Sequence, residues 1–130
     1  MAGSFSDYLE DKLLKHAFTN TAYTPATTLY VALYTAAPTD AGGGTQVSGN
    51  AYARVSVAFT VSGTTTAATN SAAVEFAAAT ASWGTIVAVG IFDASTSGNL
   101  LAWADLTTSK TIDTGDIFRI PAGDLDITLS

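Results

Sequence analysis

The sequence predicts a mainly β fold, an antiparallel β-sandwich or jelly roll of about eight strands with one N-terminal α-helix, in a single domain over residues 1–130. Three observations carry this. Only one stretch, near residues 6–19, has helical spacing; from Thr27 onward the apolar residues alternate with period two; and no helix-length segment separates the strands, which excludes parallel βαβ units.

The helix has readable ends. Ser6 is placed to cap it, Asp7, Glu10 and Asp11 load its positive end, and Lys12, Lys15 and His16 sit toward the negative end. Leu9, Leu13 and Ala17 recur at i, i+4, so a buried stripe is expected, with the helix ending near Asn20. His16 is placed to answer the C-terminal dipole.

The strands of the sandwich, spread over 27–130, follow in order. LYVALY at 29–34 sets Leu29, Val31 and Leu33 on one face, and YARVSVAFTV at 52–61 alternates as one half-buried strand. AVEF at 73–76 is short and GTIVAVGIF at 84–92 is continuously apolar. NLLAWADL at 99–106 alternates again, and KTI, DIFRIP and LDITLS close the chain as separate strands. Turns are expected at Ser97-Gly98-Asn99 and Thr114-Gly115-Asp116, both as hairpins. The 38–50 stretch reads as a surface loop, and the Thr-rich 62–73 stretch as low-complexity chain that also suits an edge strand.

Composition narrows the function. Charged residues make up 12% of the chain, about half the usual share, so Thr, Ser, Ala and Gly must clothe the surface. Little like-charge repulsion then opposes packing against neighbours. Net charge is −6, and the basic residues Lys12, Lys15, Arg54, Lys110 and Arg119 are scattered, which argues against direct nucleic-acid binding and against docking on anionic lipid. The longest apolar run, 86–92, is too short to span a bilayer. The N-terminus lacks the pattern of a secretory signal. Cysteine is absent, which removes thiolate chemistry and disulfides.

Catalytic patterns are likewise missing: one histidine, no nucleophile elbow, no zinc or phosphate-binding motif. The carboxylates are turn formers by position. Asp113 and Asp116 flank Thr114-Gly115, Asp124 and Asp126 lie two apart on the final strand, and Glu75 is as suited to pairing with Arg54 or Arg119 as to serving as a functional acid. Asp93 and Asp105 bracket the 93–99 reversal; a glycosidase would need them roughly 5 to 9 Å apart. No enzyme activity, cofactor or metal is expected. Trp83, Trp103, Tyr30, Tyr34 and Tyr52 are expected mainly in the core, with a sugar-stacking platform as the alternative.

The segments TLYVALYT, YARV, WGTIVAVGIFDA and GNLLAWADL, within an order that runs from Ser4 to Leu129, resemble a family of small virion structural proteins of tailed bacteriophages. That family includes capsid decoration (cement) proteins and tail-fibre or minor tail proteins. The resemblance implies a non-enzymatic β-rich block used in many copies, located in the virion. A cement protein on the outer capsid surface is the first expectation, with the major capsid protein and copies of itself as partners. A tail-fibre or minor tail protein taking part in host-glycan recognition is the alternative. A small-molecule ligand is not expected on the first reading. The expected partner contacts fall on Phe5 and Tyr8 near the N-terminus, Gly43 and Gln46 in the 38–50 loop, and Thr65 and Thr66 in the Thr-rich stretch.

Overall fold

The computed structural model describes residues 3–61 and 67–128, so Thr65 and Thr66 lie outside the described residues. The chain is mainly β: β1 (Gly3–Phe5), α1 (Asp7–Phe18), β2 (Leu29–Ala36), β3 (Thr45–Gln46), β4 (Val55–Val57), β5 (Phe59–Thr60), β6 (Ala67–Asn70), β7 (Val74–Glu75), β8 (Gly84–Phe92), β9 (Leu100–Ile112), β10 (Arg119–Ile120) and β11 (Asp126–Thr128). The large sheet runs β1-β9-β8-β2-β3, with β4 also on β2; two small sheets, β10-β7 and β11-β6-β5, complete the sandwich. All pairings are antiparallel among the described residues.

One face of the large sheet makes the main core. Val31, Leu33, Ile86, Val89 and Ile91 pack there against Val74, Phe76, Phe118, Ile120 and Leu125 from the small sheets and their flanks. Phe76 is the hub of the aromatic part, edge-on to Trp83 and Phe118 and stacked with Tyr52. The opposite face carries a second, smaller cluster, Ala32, Tyr34, Ala88, Phe92 and Leu100, with Val87 and Trp103 beside it. Strand β2 is therefore buried in an unbroken run from Val31 to Tyr34, and β8 from Ala88 to Phe92.

Four local expectations are corrected. The 52–61 run is not one strand: Val55–Val57 pairs with β2, then the chain steps at Ala58 and Phe59–Thr60 pairs with β6 in a different sheet. KTI is not a separate strand but the end of β9, which stays paired with β8 across a bulge that sets Leu106–Ser109 against Val87. The Thr114-Gly115 turn reverses the chain, yet β10 pairs with β7 and not with β9, so it closes no hairpin. Asp124 precedes β11, so it does not share a strand face with Asp126.

The helix begins as read and packs otherwise. Ser6 is buried, accepts a hydrogen bond from Leu9 N at 3.1 Å, donates its own N–H to Leu101 O at 2.8 Å, and donates its hydroxyl to Leu100 O. The start of α1 is thus pinned to the edge of β9. Beyond it, none of the 12 helix residues is buried, so the expected stripe does not reach the core: Leu9 and Leu13 are half-covered, while Leu14 and Phe18 are 59% and 80% exposed. His16 Nδ1 accepts from Tyr23 N at 3.1 Å, tying the returning chain to the helix.

Gly90 marks the tightest point of the second face. A Cβ there would lie 2.9 Å from both Leu100 Cδ1 and Tyr34 Cε1, inside contact distance. Gly90→Ala should therefore cost about 1–3 kcal/mol by overpacking, seen as a lower urea midpoint with an unchanged slope.

Candidate functional site

Among the described residues no sheet lies over the second face of the large sheet, and the residues that cover it build a groove. Its floor is Tyr34 and Phe92; its walls are Ser6, Asp7 and Tyr8 at the start of α1, the Asp40–Gly43 loop, and the Gly98–Leu100 end of the β8–β9 turn. The groove is open on one side, with a volume of about 320 Å³. Of the six expected contact residues, Tyr8 and Gly43 meet here. Gln46 is turned inward, bonded to Arg54 and Tyr52, and Phe5 lines a smaller cleft of about 70 Å³ between β1, β9 and β11.

Each wall is held by a specific bond. Asp40 O accepts from Asp7 N at 2.8 Å, and Asp40 Oδ1 accepts from Trp103 Nε1 at 2.9 Å, so one residue ties the loop to both the helix and β9. Asp93 closes the turn by accepting from Asn99 N at 2.7 Å and Asn99 Nδ2 at 2.9 Å. The Arg54 guanidinium lies 3.7 Å from the Phe92 ring centroid. It donates to Ala94 O at 2.9 Å, Ser97 O at 2.7 Å and Gln46 Oε1 at 3.0 Å.

The two carboxylates singled out in the sequence are not brought together. Asp105 pairs with Ala88, five residues before Asp93, which puts them about 17 Å apart along the hairpin at roughly 3.4 Å per residue. Asp113 and Asp116 bond each other's backbone in their turn, and Asp126 accepts from Thr69. Glu75 and Arg119 form an exposed ion pair at 3.7 Å, whereas Arg54 has the partners above.

Sequence reasoning missed one grouping. Carboxylate oxygens of Asp7, Glu10 and Asp40 all lie within 4.8 Å of one another. Asp7 and Glu10 stand in the first turn of α1, where they offset the helix dipole, so a cation is not needed to account for them. The signal for Asp40 was absent, because nothing local in PTDAGGG places it beside the helix.

The five aromatic residues do not gather on one platform: Trp83 and Tyr52 join the main core, Tyr34 the smaller cluster on the other face, and Tyr30 and Trp103 are half-buried. Trp83 is 6% exposed, with its Nε1 bonded to Asn50 O, and Tyr52 lies against it in the core. Tyr52 Oη accepts from Leu33 N at 3.1 Å and Gln46 Nε2 at 3.0 Å. Tyr34 is as deeply placed, 3% exposed, but its hydroxyl has no hydrogen-bond partner among the described residues. No unpartnered side-chain polar atom of the described residues is sealed from solvent, so that hydroxyl keeps some solvent access, and Tyr34 is one of the groove's lining residues.

Fold and surface define a β-rich structural block, weakly charged and with much of its helix uncovered. A family model described as Podophage GP4 fiber I protein gp80 matches residues 4–128, and the chain belongs to this family of phage virion structural proteins. No curated protein matches the chain.

Burial pushes the Tyr34 and Tyr52 hydroxyls above the usual 10.0; Arg54 opposes this at both, as do the Leu33 and Gln46 bonds at Tyr52. The folded state therefore favours the neutral phenols, and that stability is complete below pH ~10 and lost as pH rises through the raised values. Urea midpoints should fall above pH ~10. Tyr34→Phe should blunt that loss while leaving neutral-pH stability within ~0.5 kcal/mol, because its hydroxyl makes no internal bond.

Proposed function

We propose that the protein is a tail-fibre subunit that takes part in contact with the host surface and works in several copies packed against virion neighbours. The observation that carries this is the match over residues 4–128 to a family whose description names a fibre protein. The physical features support assembly: a surface with few charges, and an apolar patch on α1 formed by Leu14 and Phe18 at i, i+4. Capsid decoration makes the same physical demands, a stable sandwich with sticky faces. The family's description favours the fibre.

The mechanism is additive. Many weak contacts held at high effective concentration outlast any single one. The helix is anchored at its N-terminal end and offers its distal half to a neighbour.

Immunogold labelling of intact particles should place the chain on the tail; labelling confined to the head would overturn the fibre reading. Leu14→Ser combined with Phe18→Ser should leave the urea midpoint of the isolated protein nearly unchanged, since both side chains are exposed. The same pair should lower incorporation into particles several-fold, measured by immunoblot of purified virions.

A further inference from the structure

Resting on the fibre reading above, we propose that the groove over Tyr34 and Phe92 binds one pyranose unit of an uncharged or amine-bearing surface glycan. The carrying observation is Tyr34, a groove-lining tyrosine that is 3% exposed and whose hydroxyl keeps some access to solvent and has no partner among the described residues. Tyr52, partly buried, satisfies its hydroxyl twice over. A hydroxyl with solvent access and no internal partner is satisfied by water, or by a ligand hydroxyl that displaces it.

The other groups suit a polyol. Asp40 uses one carboxylate oxygen on Trp103 and leaves the second uncommitted; Asn99 uses its amide nitrogen on Asp93 and leaves its carbonyl; Asp7 has no side-chain partner among the described residues. These acceptors stand on three walls, so they match hydroxyls radiating from a ring better than one cationic head. Tyr8, half-exposed on the helix wall, supplies an apolar ring for the C–H face of a sugar. On the loop wall, nothing lies within 4 Å of where a Cβ would stand at Gly42 or Gly43, which keeps that wall open. The volume of about 320 Å³ sits at the lower end of ligand sites, the size for a short saccharide.

Charge decides the sugar class. Among the described residues no Lys, Arg or His lines the groove; Asp7 and Asp40 line it with Glu10 beside them, three carboxylates against the single Lys12 ammonium 5.5 Å from the Tyr8 ring. Arg54, against the Phe92 ring, is committed to that ring and to Ala94, Ser97 and Gln46. Uronates, sialates and phosphorylated sugars are therefore repelled, while neutral hexoses are accepted and amino sugars gain attraction.

The test is NMR titration of the full chain with oligosaccharides of galactose, N-acetylglucosamine, glucosamine and glucuronate, and with an oligolysine peptide. At least one neutral or amine-bearing probe should shift the amides of Tyr8, Gly43 and Asn99, and the glucuronate probe should not. Tyr34→Phe and Asp40→Asn, both conservative in shape, should each weaken that binding about tenfold, with the rest of the spectrum unchanged. Shifts at these amides from no sugar up to about 10 mM would overturn the proposal. So would binding indifferent to both variants, preference for glucuronate, or a response to oligolysine alone. Sugar binding in the groove of a protein labelled only on the head would overturn the fibre reading and leave the groove standing; tail labelling without sugar binding would do the reverse.

Discussion

Burial of β2 and β8 on both faces is the constraint from which the rest of the structure follows. Both strands are hydrogen-bonded on both sides within the large sheet, and their side chains alternate between two separate apolar clusters. An antiparallel sheet can leave one face wet, but this one cannot, because Tyr34, Phe92 and Leu100 project from the face opposite the main core. The two small sheets cover the first face. The second has to be covered by a helix end, two loops and one arginine, and such cover fits less closely than a sheet. The groove is the gap that remains.

That makeshift cover is held by polar bonds. Arg54 lays its planar cation on Phe92 and donates to two carbonyls of the β8–β9 turn and to Gln46, so it closes over apolar surface while three of its five N–H groups are bonded within the protein. Lysine has neither the plane nor the fork for this. Asp40 does the complementary work from the loop, receiving the helix through its backbone and Trp103 through its carboxylate. Ser6 caps α1 and bonds β9 at the same time. Three residues distant in sequence thus fix three walls, and loss of any one would open the same cluster.

Much of the sandwich was legible because alternation is a local signal. β8 spans the 84–92 run that its continuous apolarity marked, and Ser6, the helix and the Gly98 reversal stand where caps and turn residues put them. What local pattern does not contain is the choice of partner. Nothing in YARVSVAFTV says that the chain changes sheets at Ala58, since the alternation of side chains continues across the step. The stripe of α1 was misread for a related reason. Leu9 and Leu13 have the spacing of a core face, but Ser6 binds the sheet at its edge, and the helix leaves from there before its later turns can meet apolar surface. The groove was legible only in fragments: Tyr8 and Gly43 were marked as contacts, whereas Asp40 and Tyr34 acquire their roles from pairings across long loops.

A shallow groove and an uncovered helix are both consequences of that incomplete second layer, and they fit a protein that works in number. One sugar ring held by a few solvent-accessible hydrogen bonds and one aromatic wall at millimolar affinity is bound by about −4 kcal/mol. That is too weak for a lone receptor. Several copies in one particle would face the same surface at a high effective concentration, so each further engagement would add most of its free energy without a new loss of translational freedom. Selection on such a protein would act on rigidity and copy number more than on the depth of any one site. A stiff, doubly buried β2–β8 core that tolerates a loosely covered face is the arrangement this favours.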